Sequence, residues 1–169
     1  MLKKIVLAAL FALSLAASSK SFVLNTMDGK KIHIEVNDNG IKVKEYPDRV
    51  IILDFFGKNC PPCKAEMPIL GRVQKKYSDK LQIIGLHVQA PLTLSEFSQI
   101  TKRGVNFPVA DYMNNNEEFI EYISSLTGWR GQIPYMLFFD SEGNYKGYHL
   151  GMMEESMIEK FVEQNYKKR

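Results

Sequence analysis

Thiols and imidazoles are scarce in this chain. Two cysteines, Cys60 and Cys63, and three histidines, His33, His87 and His149, are all it has among 169 residues. Two sulfurs cannot build a disulfide-stapled scaffold, and they fall short of the four ligands a closed zinc site needs. The histidines are scattered and read as surface or core side chains, so neither a metal nor another cofactor is expected. Covalent haem is disfavoured because Lys64, not histidine, follows Cys63. Neither sign of charge dominates: 22 Lys and Arg stand against 19 Asp and Glu. No nucleic-acid footprint is expected from that balance. Repeats, low-complexity linkers and a second composition are absent too.

Long apolar runs are also missing. Ile5 to Leu15 is the nearest approach, interrupted by Ser14, and it is short of the roughly 20 residues of a bilayer span. It follows Lys3 and Lys4 and precedes the small residues Ala16, Ala17, Ser18 and Ser19, the layout of a secretory signal peptide. Residues 1–19 are therefore read as a signal peptide, with an uncleaved anchor as the alternative. No cysteine lies near the cut, which excludes lipid attachment through a thiol. Residues 20–169 form one domain, large enough for its own core, in an exported compartment where disulfides persist.

Along that domain, Ile32, Ile34 and Val36 alternate with polar residues as a strand does, between the turn signals Asp28-Gly29 and Asn39-Gly40, and Ile41 to Val43 resumes the strand. Val50 to Phe56 is apolar except for Asp54, the pattern of a central strand covered on both faces. A helix opens at Pro61, carries Ala65, Met67, Leu70, Val73 and Tyr77 on one stripe, and contains Pro68, which should kink it. Further strands are expected over 81–88, 107–110, 135–139 and 145–150. Helices are expected over 95–102, capped by Ser95, over 114–126 and over 154–166. The fold class is α/β: a mixed central sheet flanked by helices, with an N-terminal β-hairpin extension.

The chemistry concentrates in Cys60-Pro61-Pro62-Cys63. A disulfide across so short a loop constrains the unfolded chain little and is a poor staple. It makes a good redox couple, because one thiolate attacks a partner's disulfide and the other resolves the mixed disulfide. Cys60 opens the helix, where backbone N–H groups and the helix dipole favour its thiolate. It is read as the exposed nucleophile and Cys63 as the buried resolving thiol. Pro61 and Pro62 have no N–H to donate, so thiolate stabilisation is moderate and the site leans toward reduction. Lys58 and Lys64 are read as solvated. Asp54, six positions before Cys60, and Glu66, three after Cys63, are the candidate proton acceptors for the resolving thiol. A strand-end Asp54 facing water and a Glu66 on the outer helix surface are the alternatives.

The stretch from Val50 to Pro68, with Leu53-Asp54-Phe55-Phe56, the Cys-Pro-Pro-Cys run, Glu66 and Pro68, resembles the thioredoxin superfamily. Within it the run Cys-Pro-Pro-Cys-Lys-Ala-Glu-Met-Pro is similar to the exported TlpA/ResA-like thiol-disulfide oxidoreductases, which include the cytochrome c maturation thioredoxins. Asp28-Gly29-Lys30, Gly131 with Ile133-Pro134, and Asp140-Ser141-Glu142-Gly143 extend the likeness. It implies a thioredoxin-like fold, Cys60 as attacking and Cys63 as resolving thiol, Pro134 as a cis-proline facing them, and the backbone of Ile133 as the strand-like binding site for a partner's chain. It also implies a buried acid at Asp54 and an active-site acid at Glu66. The partners implied are disulfide-containing exported proteins such as apocytochrome c, with a membrane thiol reductase as electron donor, no nucleic acid, and a periplasmic monomer. Departures are Asn59, where an aromatic residue usually precedes the first cysteine, Gln132 as an extra residue, and Asn37–Lys44 as extra hairpin. Trp129 is read as core or as a substitute wall. A periplasmic oxidase or isomerase, a thioredoxin-like copper-delivery protein using Cys60, Cys63 and one histidine, and a binding module that kept the fold stay open as rivals.

Overall fold

The computed structural model describes residues 19–168, so the expected signal peptide, apart from Ser19, lies outside the described residues. Eight strands and four helices follow in the order β1 (Lys20–Asn25), β2 (Lys31–Asn37), β3 (Gly40–Val43), β4 (Val50–Phe56), α1 (Pro61–Lys76), β5 (Leu81–His87), α2 (Leu94–Lys102), β6 (Val109–Asp111), α3 (Glu117–Thr127), β7 (Tyr135–Phe139), β8 (Tyr145–Leu150) and α4 (Glu155–Asn165). The central sheet has the order β6-β5-β4-β7-β8. β4 pairs parallel with β5 and antiparallel with β7, so the sheet is mixed, as expected. Among the described residues no helix is long and apolar enough to cross a membrane.

β4, β5 and β7 are buried along their whole length because both sheet faces are covered. Side chains alternate between the faces. Val50, Ile52 and Phe56 join the core beneath α1 and α4 with Leu70, Val73, Ile158 and Val162. Ile51, Leu53 and Phe55 face the opposite core, made with α3 and the β1–β3 sheet. Each fully buried Leu or Ile contributes roughly 1.5–3 kcal/mol by leaving water.

The hairpin extension is a three-stranded antiparallel sheet, β1-β2-β3, and it is joined to the central sheet at both ends. At one end Met27 N donates to Val109 O at 2.8 Å, beside a bridge between Thr26 and Ala110. At the other, Ile41 N donates to Gly143 O at 2.9 Å and Tyr145 N to Asn39 O at 2.8 Å. Gly40 touches Gly143 so closely there that a Cβ would collide with the carbonyl oxygen. The segment Asn37–Lys44 thus clasps the β7–β8 turn, which Asp140 Oδ1 holds by accepting the amides of Glu142 and Asn144.

Some element ends differ from the sequence reading. α2 is capped by Thr93, not Ser95: Thr93 Oγ1 accepts Glu96 N while Glu96 accepts Thr93 N, a reciprocal capping box. α3 starts at Glu117, not Asn114, because the Asn116 side chain turns away from the helix to bind both backbone groups of Asn25 and the carbonyl of Asp111. The third strand of the parallel run is Val109–Asp111 rather than 107–110. Pro68 lies inside α1, as read.

Candidate active site

The chain leaves β4 at Phe56 and reaches α1 through Gly57, Lys58 and Asn59. Gly57 packs against the Gln89 side chain with no room for a Cβ. That contact places Gln89 Oε1 to accept the Asn59 amide at 2.8 Å. Lys58 is not solvated as expected. Its side chain is 17% exposed, and Nζ pairs with Glu96 at 2.9 Å and donates to Pro91 O at 2.7 Å. The reason is tertiary: the start of α2 folds over the loop and presents a carboxylate to it. Hydrogen bonds from the Thr93 amide, from this lysine and from Thr93 Oγ1 hold the Glu96 carboxyl at about 2, far below its usual range.

Cys60 is the N-cap of α1, with extended backbone, and Pro61 and Pro62 fill the first two helical positions. It is joined to Cys63 in a disulfide, their Cα atoms 5.2 Å apart. Cys63 N donates to Cys60 Sγ at 3.2 Å. The expected exposure of Cys60 is not found: it is 5% exposed and Cys63 2%, both in the core that holds Phe56, Met67, Met136 and Met153. Bonding to the inward-facing Cys63 draws the Cys60 sulfur onto the same apolar surface. Among the described residues, no group of three or more His, Cys, Asp or Glu side chains stands together as a metal site would require.

Both acids are interior. Asp54 is 3% exposed and Glu66 1%, so the water-facing alternatives do not hold. Strand alternation puts Asp54 on the same face of β4 as Ile52 and Phe56, the face that α1 covers. No donor among the described residues reaches Asp54 Oδ1. Burial, and next the charge of Glu66, push the Asp54 carboxyl well above the usual range. Burial raises Glu66 to about 7, partly offset by the Met153 amide, which donates to Oε1 at 2.7 Å. A buried carboxyl short of hydrogen-bond donors keeps its proton to higher pH than a free one. The region therefore holds two buried acids with raised proton affinity, of which Glu66 exchanges its proton at about 7.

The Ile133-Pro134 peptide is cis. Gly151 N donates to Pro134 O at 2.8 Å, tying that loop to the end of β8. Ile133 packs against both cores. Trp129 is half-buried, its ring 4.8 Å from Phe55 and 6.4 Å from Tyr135. Its Nε1 donates to Gln132 O at 2.6 Å, so the additional residue Gln132 is anchored by the tryptophan. Sequence reasoning missed Gln89, Glu96 and Met153. Only Glu96 left a signal, the Thr93-x-x-Glu96 capping box.

A thioredoxin-like sheet and a Cys-x-x-Cys disulfide at a helix N-terminus mark a thioredoxin-like thiol-disulfide oxidoreductase. The chain belongs to the AhpC/TSA family, whose model matches residues 19–146. It is 27% identical over 145 residues to the thiol-disulfide oxidoreductase ResA of Halalkalibacterium halodurans, covering 85% of this chain and 72% of that protein. Its fold is similar to that of a thioredoxin-family thiol:disulfide interchange protein from Chlorobium tepidum, with a TM-score of 0.70 at 23% identity, covering 87% and 94% of the two chains. A secreted disulfide oxidoreductase from Mycobacterium tuberculosis has a TM-score of 0.62 at 16% identity, covering 85% of this chain and 95% of that one.

Proposed function

We propose that this protein is exported and reduces disulfides of other exported proteins, such as apocytochrome c, with electrons from a membrane thiol reductase. The observation that carries the direction is the cap of α1. Cys60 sits at a helix N-terminus whose first two residues are prolines, so the nearby amide that its sulfur meets is that of Cys63. A thiolate there gains less than one facing several amides, and a weakly stabilised reduced form is a better reductant. The apolar start at Ile5–Leu15, after Lys3 and Lys4, supports export, as does the likeness to a secreted relative.

In the reaction, the Cys60 thiolate attacks one sulfur of a client disulfide. A Cys60–client disulfide forms and one client thiolate leaves. The Cys63 thiol gives its proton to the Asp54–Glu66 pair, and its thiolate attacks Cys60 Sγ. The Cys60–Cys63 bond forms, the second client thiolate leaves, and two electrons have passed to the client. Two electrons and two protons from the donor restore the dithiol. The backbone at Ile133 and Pro134 holds the client's chain in extended form beside the cysteines.

Thiol trapping in intact cells tests the direction. The expected result is a mostly reduced Cys60/Cys63 pair that becomes oxidised when the membrane donor is removed. A pair found mostly oxidised in unperturbed cells assigns the protein to disulfide formation instead. Reduction of insulin by the dithiol form separates an enzyme from a binding module.

A further inference from the structure

His87 ends β5 directly behind the redox loop, and none of its surface is exposed. Its Nδ1 lies 2.6 Å from Asp111 Oδ1 at the end of the neighbouring strand β6. Its Nε2 lies 3.2 Å from the backbone N of Lys58, which donates to it. A backbone amide has a proton to give and no lone pair to receive one, so Nε2 is the unprotonated nitrogen and the proton sits on Nδ1, facing Asp111. Asp111 is itself held, because its Oδ2 accepts Leu92 N at 3.2 Å. The Phe56 ring packs edge-on against the imidazole, 5.4 Å between centroids.

We propose that His87, oriented by Asp111, is a positioning residue for Cys60: its neutral Nδ1–H form accepts the Lys58 amide and fixes the backbone that delivers the sulfur to the head of α1. The inference rests on Cys60 being the attacking thiol. Gln89 on Asn59, Glu96 on Lys58 and the Pro91 carbonyl on Lys58 Nζ hold this loop from the β5–α2 connection and α2. His87 ties the loop to the sheet. Without its acceptor, the half-buried Lys58 amide lacks a partner, and the loop must shift to find one. The N-cap geometry that sets the Cys60 thiolate shifts with it.

The charged groups that bear on the ring are Asp111 on β6, Lys58 in the loop and Glu96 on α2. Burial lowers the affinity of His87 for a second proton, against the pull of Asp111, so the accepting form persists through neutral pH. In acid the ring gains a proton at Nε2, two donors face each other, and the Lys58 bond is lost.

The test follows alkylation of the reduced protein with iodoacetamide from pH 5 to 9, with the modified cysteine identified by mass spectrometry. His87→Phe keeps a planar ring without an acceptor. It is expected to slow Cys60 alkylation at pH 7 by about tenfold, the equivalent of one unit in the thiol pKa. His87→Gln, which places an amide oxygen near the former Nε2, is expected to restore most of the rate and to remove the acid-side decline due to imidazole protonation. Equal Cys60 rates in the unsubstituted and His87→Phe proteins would overturn the proposal. Preferential labelling of Cys63 in the unsubstituted protein would instead overturn the attacking-thiol assignment, and this inference with it. Nitrogen-15 NMR of the unsubstituted protein needs no variant: an Nδ1–H tautomer at His87 is expected, and an Nε2–H tautomer rules the positioning role out.

Discussion

Glu66 Oε1 accepts the backbone amide of Met153 at 2.7 Å, so the acid that follows the cysteines on α1 also anchors the segment between β8 and α4. An amide donor favours the charged carboxylate, while burial favours the neutral acid. Burial wins, and the group titrates near 7. A carboxyl raised in the folded state binds its proton more tightly there than in the unfolded chain. Its contribution to stability is therefore full below the unfolded value of 4.5 and is lost as the pH rises through about 7.

Glu66→Gln keeps the acceptor for Met153 and removes the titration. It is expected to stabilise the protein above pH 7 by on the order of 3 kcal/mol and to change little below pH 4.5. Urea unfolding of the oxidised protein across that range reads the difference. The same variant should flatten the pH dependence of mixed-disulfide resolution between pH 6 and 8; an unchanged profile would take Glu66 out of proton transfer.

Asp54→Asn removes a buried carboxyl whose Oδ1 no donor among the described residues reaches. Because the folded-state affinity for the proton is raised, the native acid costs stability only where it must ionise, so the gain appears at high pH and vanishes in acid. Resolution by Cys63 is expected to slow by about 10²-fold, the lower end of general acid–base contributions. Stopped-flow with a mixed disulfide preformed at Cys60 measures it.

Cys63→Ala leaves Cys60 without its resolving partner. Client proteins should then accumulate as disulfide adducts of Cys60, separable on non-reducing gels and identifiable by mass spectrometry. Adducts recovered only from Cys60→Ala would exchange the two roles.

Gly57→Ala drives a methyl into the Gln89 side chain. Gln89 must swing away and release the Asn59 amide, at an expected cost of about 1–3 kcal/mol. In the double variant with Gln89→Ala the steric part disappears, so the two effects should be less than additive in a thermal-unfolding cycle.

The strands of the central sheet were legible because β4, β5 and β7 are covered on both faces, which forces continuous apolar runs. The redox pair was legible from its spacing alone, and Asp54 from its apolar neighbours. What escaped depends on contacts between distant segments. Nothing near Lys58 announces a carboxylate 38 positions later, nor does His87 announce Asp111 24 positions on. The start of α3 was misplaced for the same reason, since Asn116 looks like a helix interior or cap and is instead spent on Asn25 and Asp111. Thr93 differs: its partner Glu96 is only three residues away, and Ser95 is by residue type also a good cap.

Glu96 closes the first turn of α2 and at the same time holds the Lys58 ammonium. Fraying of that turn and slackening of the chain ahead of Cys60 are therefore a single event. Amide exchange at the beginning of α2 and the chemical accessibility of the sulfur should rise and fall together, so that the first turn of a short helix influences how readily the thiol presents itself.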